Sequence, residues 1–241
     1  MCFGTGAEKQ MQDYAKQKTV LIIGCSNGPS TKHFRTVFGK QHQYVNLSYA
    51  GMGNHYIAGR LFEYVQTHGA PDSVYLQFTG LGRIDLALDP KVKIPDYLSQ
   101  MGTDHKTWLG SGGALGSWQR SKYPVVRRLF AYMYNIKDPT DADYFLSLKE
   151  IFSAVELCKS VGVPYSWTSY YDYTNPPTDR SRQDGHIPQL PTWIDTSCHL
   201  GAWPLNHACD MGRTTKNEDG VHFDNESALE FLSQHQHKIL S

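Results

Sequence analysis

An apolar strand that runs into a glycine turn and then a helix start is the feature that most restricts the fold of this 241-residue chain. The run Thr19–Gly24 (TVLIIG) is rich in β-branched residues, and the turn Gly24–Pro29 follows it. Pro29, Ser30 and Thr31 then have the character of a helix start. A strand–turn–helix unit of this kind is typical of an α/β domain.

The same rhythm recurs along the chain. The further predicted elements are strands at Tyr44–Leu47, Ser73–Thr79 and Tyr165–Ser169, and helices at about residues 55–68, at about residues 148–158 and from about residue 224 onward. Because strands and helices alternate, we expect a mostly parallel sheet of about five strands with helices on both sides. Such sheets bind ligands beyond the carboxyl ends of their strands, where Ser26, Gly51 and Gly80 would meet.

Two irregular stretches interrupt the alternation, at about residues 83–143 and 170–217. We interpret them as insertions, the first with its own short helix near Val125–Tyr134 and a possible role as a lid. Residues 1–17 form a polar N-terminal segment, and residues 18–241 are expected to form one domain. Aromatic residues concentrated in the insertions can line a cleft or form a small core of their own: Trp108, Trp118, Tyr123, Tyr132, Tyr170, Tyr171, Tyr173, Trp193 and Trp203.

Composition excludes several classes of protein. The chain has 23 Lys+Arg and 23 Asp+Glu, so it lacks the basic surplus typical of nucleic-acid binding. No apolar run is long enough for a membrane span. The polar segment Met1–Lys18 is unlike a signal peptide, which predicts a cytoplasmic or virion-associated protein. Five cysteines do not make a disulfide scaffold, and the oligomeric state stays open.

Two short patterns carry residues suited to nucleophilic catalysis. Ser26 follows the first strand between Gly24 and Gly28, where a serine can project into the crevice or simply cap a helix. Asp219 lies three residues before His222, ahead of the last helix. That carboxylate can orient the imidazole so that its other nitrogen accepts a hydroxyl proton, although an ordinary capping loop would look the same.

Taken together and in this order, the patterns resemble the SGNH/GDSL hydrolase superfamily, esterases and lipases of flavodoxin-like fold. The block Gly24-Cys25-Ser26 corresponds to the family's Gly-Asp-Ser, with Cys25 in place of the aspartate. The segment Asn46–Gly51 has the spacing of the second block, whose glycine lies in the oxyanion hole, and Asp219 to His222 matches the last block. The resemblance implies a three-layer α/β/α fold and a catalytic triad of Ser26, Asp219 and His222.

One block departs from the family pattern. The third block, Gly-x-Asn-Asp, supplies an asparagine to the oxyanion hole, whereas this chain has Gly80-Leu81-Gly82-Arg83. Either Asn54 or Arg83 can replace the missing donor beside the backbone N–H groups of Ser26 and Gly51. The ordinary alternative for Arg83 is a salt bridge to Asp85. Loss of one oxyanion donor lowers turnover by about 10²–10³-fold, so without a replacement the protein would be slow or inactive.

Other interpretations remain at this point. The segment Gly24–Gly28 is also the Gly-x-Ser-x-Gly elbow of α/β-hydrolases, although that elbow normally follows several strands. Cys25 itself can be considered as a nucleophile. Cys198-His199 together with His207 and Cys209 has zinc-ligand residue types without a standard spacing, and Cys198 and Cys209 can also pair as a disulfide. The turn Gly24–Thr31 lacks the lysine of a P-loop, which argues against a nucleotide.

The sequence therefore predicts a serine esterase that needs no metal or organic cofactor. Its expected substrate is an O-acetyl or other short acyl ester on a carbohydrate, and its activity should fall as His222 becomes protonated near the ordinary histidine pKa of about 6.5. The alternatives are a non-catalytic binding or structural module on the same scaffold, such as a phage-associated one, and an O-acyltransferase.

Overall fold

The computed structural model describes residues 17–25, 29–49, 51–80, 83–87, 103–104, 108–110, 124–136, 142–169, 190–202 and 225–240. Within these ranges the chain forms, in order, β1 (Thr19–Ile23), α1 (Thr31–Phe38), β2 (Gln43–Asn46), α2 (Asn54–His68), β3 (Ser73–Gln77), β4 (Asp85–Ala87), β5 (Thr103–Asp104), β6 (Trp108–Gly110), α3 (Pro124–Ile136), α4 (Ala142–Ser160), β7 (Tyr165–Ser169), β8 (His199–Ala202), α5 (Asn225–Gln234) and α6 (Gln236–Ile239).

Five strands form one sheet in the order β2-β1-β3-β7-β8, and every neighbouring pair is parallel. This confirms the predicted α/β architecture with a parallel sheet of about five strands. From β1 the chain first moves outward to β2 and then crosses to β3 on the other side. The carboxyl ends of β1 and β3 therefore flank the point where the strand order reverses, which is where open α/β sheets bind ligands.

Helices cover both faces of the sheet because successive strand residues point to opposite sides. In β1, Leu21 and Ile23 face one side, whereas Val20 and Ile22 face the other. Helices α2 and α4 pack on the first side, and α1, α5 and α6 on the second. The two apolar clusters that result make three layers; their fully buried members include Tyr56, Ile57, Leu61, Ile151, Val155 and Trp167 on the first side and Phe34, Tyr75, Phe231 and Leu232 on the second.

The first insertion differs from the expectation. It was expected to have little strand structure, but β4, β6 and β5 form a small antiparallel sheet in that order. Trp108 anchors this sheet on α2, with its ring 5.6 Å from that of Tyr56 and its Nε1 donating to Glu63 Oε1 at 3.2 Å. Strands of two or three residues are too short to show alternation, so tertiary packing determines them. The predicted helix near Val125–Tyr134 is confirmed as α3.

The fifth strand of the main sheet was not located by sequence, because β8 lies within the second irregular stretch. It joins the edge through β7, with a register irregularity between Trp167 and Ser169. The predicted final helix is present but is divided at His235 into α5 and α6. In the part of the chain that the structure describes, no helix is both long and apolar enough to cross a membrane.

Candidate active site

The end of β1 is held tightly beside β3. Gly24 lies so close to Gln77 that a Cβ at position 24 would come within 2.9 Å of Gln77 Cβ, so this position requires glycine. The carbonyl oxygen of Gly24 accepts the backbone N–H of Tyr49 at 3.1 Å, which joins the end of β1 to the loop after β2. Ser26 and Gly28 lie outside the described residues. Cys25 is only 1% exposed, so its thiol is poorly placed to attack a substrate.

The amino end of α1 is tied to the amino end of α5. His33 Nδ1 accepts the backbone N–H of Ser30 at 2.9 Å, and His33 Nε2 lies 2.9 Å from Asn225 Oδ1. With Nδ1 as an acceptor, the neutral ring carries its proton on Nε2 and donates it to Asn225. This contact joins residues 192 positions apart, and it lies beside two predicted catalytic segments: Ser26 is four residues before Ser30, and His222 is three residues before Asn225.

The amino end of α2 is capped by a carboxylate from elsewhere in the chain. Gly53 precedes the helix and offers no side-chain cap, and the nearby Gly51 has a φ of 81°, a conformation that favours glycine. Asp85 at the start of β4 accepts the backbone N–H of Gly53 at 2.7 Å and that of Tyr56 at 2.9 Å. Burial raises the pKa of Asp85, while these two hydrogen bonds oppose the rise.

Asn54 connects α2 to the residues after β3. Its Oδ1 accepts the backbone N–H of Thr79 at 2.7 Å, and its Nδ2 donates to the carbonyl oxygen of Thr79 at 3.2 Å. The side chain is 4% exposed and held from both ends. A carboxamide has two N–H hydrogens, so the bond to Thr79 leaves the second one for another acceptor.

Arg83 also contacts the loop before α2. Its Nη1 donates to the carbonyl oxygen of Met52 at 2.8 Å. Its charge lowers the pKa of Asp85, although the larger effect on that pKa is burial. The ordinary alternative for Arg83 was a salt bridge to Asp85. The hydrogen bonds of Asp85 are instead with the backbone N–H groups of Gly53 and Tyr56, so this carboxyl group caps α2. Arg83 thus braces the loop that contains Gly51.

A charged cluster follows Asn54 along α2. His55 Nδ1 lies 3.1 Å from Glu150 Oε1 of α4, and Lys149 Nζ lies 3.4 Å from the same oxygen. The hydrogen bond to Glu150 raises the pKa of His55, against the opposing effect of partial burial. Burial alone would raise the pKa of Glu150, but the hydrogen bond with His55 and the charges of His55 and Lys149 bring it below its ordinary value.

A buried serine–histidine pair joins β7 to β8. Ser169 Oγ at the end of β7 is 3.0 Å from His199 Nε2 of β8, and the His199 ring stacks on Trp167 at 4.1 Å between centroids. Ser169 is 0% exposed, so a substrate cannot reach this hydroxyl. The pair holds β7 to β8 across their irregular register.

Two of the residues considered as zinc ligands, Cys198 and His199, lie in this region. Cys198 is a free thiol, and His207 and Cys209 lie outside the described residues. Among the residues that are described, no three His, Cys, Asp or Glu side chains are grouped as a metal site would require.

The structure brings Asn54 and Arg83 to one cavity, and Gly51 lies in the loop that Arg83 braces. Ser26, Asp219 and His222 fall outside the described residues, so the triad stays a prediction. Sequence analysis missed the roles of Asp85, His55 and Glu150, whose partners are 29–95 positions away. The sequence offers little sign of the role of Asp85, because an aspartate near the start of a short strand does not reveal that it caps a distant helix.

Comparison with known proteins gives little beyond this geometry. No protein-family model matches the chain, and no curated protein matches it significantly. Among solved structures, the chain is similar to a crystal structure of the psychrotrophic esterase EstA from Pseudoalteromonas sp., inhibited by monoethylphosphonate. The match covers 92% of this chain and 97% of that chain, with 14% identity and a TM-score of 0.48. A likeness at this level assigns neither a family nor an activity to the chain.

Proposed function

We propose that the chain is a serine esterase with Ser26 as nucleophile, His222 as general base and Asp219 as the residue that orients His222. The observation that carries this proposal is the hydrogen bond between His33 and Asn225. It fixes the start of α1 to the start of α5, and the predicted nucleophile and base lie just upstream of these two helix starts.

This contact limits how far apart Ser26 and His222 can lie. Ser26 is four positions before Ser30, a chain length of at most about 14 Å, and His222 is three positions before Asn225, a chain length of at most about 11 Å. Since Ser30 and Asn225 are joined through His33, these lengths allow the Ser26 and His222 side chains to meet. Two residues that were not anchored in this way could lie much farther apart in a folded chain of this size.

The position of Ser26 in the sequence also agrees with where this fold binds ligands. Ser26 is the third residue after β1, and β1 lies beside β3 at the reversal of strand order. Ligands of doubly wound sheets bind at that position. The helix that follows, α1, has no acidic residue in its first turn, so its partial positive charge is available to a developing oxyanion.

In this mechanism Ser26 Oγ forms a bond to the acyl carbon while its proton passes to His222 Nε2. Collapse of the tetrahedral intermediate breaks the ester bond, and His222 gives the proton to the departing alcohol. Water repeats the sequence on the acyl-enzyme and releases the acid. The backbone N–H groups of Ser26 and Gly51 hold the oxyanion, helped by the second Nδ2 hydrogen of Asn54 or by Arg83. The chemistry needs no metal or organic cofactor.

The substrate we propose is a short acyl ester on a carbohydrate. The cavity beside Asn54 and Arg83 has a volume of about 260 Å³ and combines apolar wall surface with several hydrogen-bonding side chains, which suits a sugar ring with its hydroxyl groups.

The test is hydrolysis of p-nitrophenyl acetate and of peracetylated sugars by wild type, Ser26→Ala and His222→Gln. Loss of either residue should lower kcat by about 10⁴-fold or more. Ser169→Ala is the matched control, because Ser169 also bonds a histidine but is buried, and this variant should keep its activity. A folded wild type that hydrolyses no ester would contradict the proposal and favour a binding module, while acyl transfer to added alcohol in preference to water would indicate an O-acyltransferase.

A further inference from the structure

A cavity of about 260 Å³ lies between the first turn of α2, the segment Arg83–Asp85 and the first half of α4. It opens next to the carboxyl edge of the main sheet, since Asn54 in its wall is bonded to Thr79 after β3. Its lining residues are Asn54, His55, Arg83, Ile84, Asp85, Leu146, Ser147, Lys149 and Glu150. All but Ile84 and Leu146 are polar or charged.

Both carboxylates of the lining are already engaged with the protein. Asp85 accepts the backbone N–H groups of Gly53 and Tyr56 and is only 9% exposed. Glu150 is bonded to His55 and lies close to Lys149. Both oxygens of Asp85 are thus used within the protein, and Glu150 Oε1 is shared by His55 and Lys149.

Donors on the lining are less fully used. Lys149 has a side chain that is 67% exposed and makes one long contact, at 3.4 Å, with Glu150. His55 is 51% exposed and uses Nδ1 on Glu150, which leaves Nε2 as its second ring nitrogen. Arg83 uses Nη1 on Met52, and a guanidinium has further N–H donors in a planar fork that fits a carboxylate.

We propose that this cavity binds the carboxylate and hydroxyl groups of an acidic sugar of the uronic acid type, as part of the alcohol portion of the ester. The inference rests on the proposed esterase function for the placement of the ester bond, but the binding itself does not require Ser26. Arg83, Lys149 and His55 surround the carboxylate and Ser147 suits a ring hydroxyl, while Asn54 keeps its second Nδ2 hydrogen for the oxyanion. A neutral sugar lacks the charge that these three donors recognise.

The experiment is an NMR titration of ¹⁵N-labelled protein with galacturonate, with galactose and with methyl galacturonate, in which the carboxylate is esterified. Galacturonate should shift resonances of residues around the cavity and bind at least about tenfold more tightly than the two neutral compounds, as expected when a charge-assisted contact is removed. Lys149→Gln should weaken galacturonate binding severalfold without changing galactose binding. Lys159→Gln is the matched control, because Lys159 lies on the same helix and also contacts a glutamate but is far from the lining.

Equal binding of galacturonate and galactose, or no shift at the cavity, would overturn the inference. The same titration on Ser26→Ala separates the two proposals. Galacturonate should bind this variant as it binds wild type, whereas ester hydrolysis should be lost. Hydrolysis by wild type without galacturonate binding would leave the esterase proposal standing and overturn only the substrate class.

Discussion

The amino ends of α1 and α2 both lie at the carboxyl edge of the sheet, but they are satisfied in different ways. At α1, Ser30 donates its backbone N–H to His33 three residues later, and no carboxylate is present in the first turn. At α2, the buried carboxylate of Asp85 accepts two backbone N–H groups. One helix end is thus capped by a buried carboxyl group whose pKa is raised by burial, and the other keeps its partial positive charge.

The two helix ends are therefore expected to affect different properties, stability at α2 and reactivity at α1. A carboxylate at the start of α1 would oppose the negative charge that develops on the oxyanion near Ser26, whereas the same charge at α2 stabilises the loop that contains Gly51. We therefore expect loss of the Asp85 cap to act mainly on stability, and changes at the start of α1 to act mainly on the reactivity of Ser26.

The largest effect on stability is expected from Asp85→Ala. The change removes the charged acceptor of the Gly53 and Tyr56 N–H groups in a buried place, so the free energy of unfolding should fall by about 3 kcal/mol. Asp72→Ala is the control, because Asp72 also accepts a backbone N–H, that of Thr19, but is exposed. Urea unfolding should show a loss below about 1 kcal/mol for that control. Equal losses would mean that Asp85 is not a buried cap.

A smaller loss of stability with a larger effect on activity is expected from Asn225→Ala. Removal of one neutral hydrogen bond to His33 should lower the free energy of unfolding by about 1 kcal/mol. Because we propose that this contact aligns the segments of Ser26 and His222, we expect kcat for p-nitrophenyl acetate to fall by about tenfold or more.

Two variants control for this change at α5. Asn225→Gln keeps a neutral amide acceptor for His33 Nε2 and should retain more of the activity than Asn225→Ala. Gln234→Ala at the far end of α5 should leave kcat unchanged, since its side chain is exposed and is hydrogen-bonded to Glu230 of the same helix. A fall in stability for Asn225→Ala with unchanged kcat would show that the contact is structural alone.

The smallest effect concerns the pH dependence of the pair between His55 and Glu150. The pKa of His55 is raised, so its contribution is complete below the ordinary value of about 6.5 and is lost as pH rises through the raised pKa. The pKa of Glu150 is lowered, so its contribution is present above the ordinary value of about 4.3 and is lost as pH falls through the lowered pKa. The pair is thus worth most near pH 5–6.5.

His55→Gln should therefore destabilise the protein more at pH 6 than at pH 9, by only a few tenths of a kcal/mol because the histidine is half exposed. Urea unfolding at the two pH values measures the difference. His68→Gln at the other end of α2 is the control, since that ring lies beside the Thr67 hydroxyl rather than a carboxylate. A larger effect at pH 9 would reverse the assigned sign.

Features that depend on neighbours in sequence were predictable, and those that depend on distant partners were not. The apolar run of β1 and the helical spacing of Ile57 and Leu61 indicated the main sheet and α2, because alternation and helical periodicity are local. The short strands β4–β6 and the edge strand β8 were missed, because burial against other elements and not their own pattern makes them strands.

The residues of the candidate site show the same distinction between local and distant partners. Asn54 and Arg83 were predicted as oxyanion donors from their positions after the second and third strands; both line one cavity, and the oxyanion role stays a prediction. The cap by Asp85 could not be derived, since 32 residues separate it from Gly53. The contact between His33 and Asn225 joins opposite ends of the chain, so no spacing rule could have shown it.

Fluorophosphonate labelling of the folded protein tests the central claim most directly. Intact mass and peptide mapping should give a single adduct on Ser26, absent from Ser26→Ala and unaffected in Ser169→Ala, with labelling that slows as pH falls below about 6.5. An adduct on another residue, or none on a folded wild type, would contradict the assignment of Ser26 as an activated nucleophile.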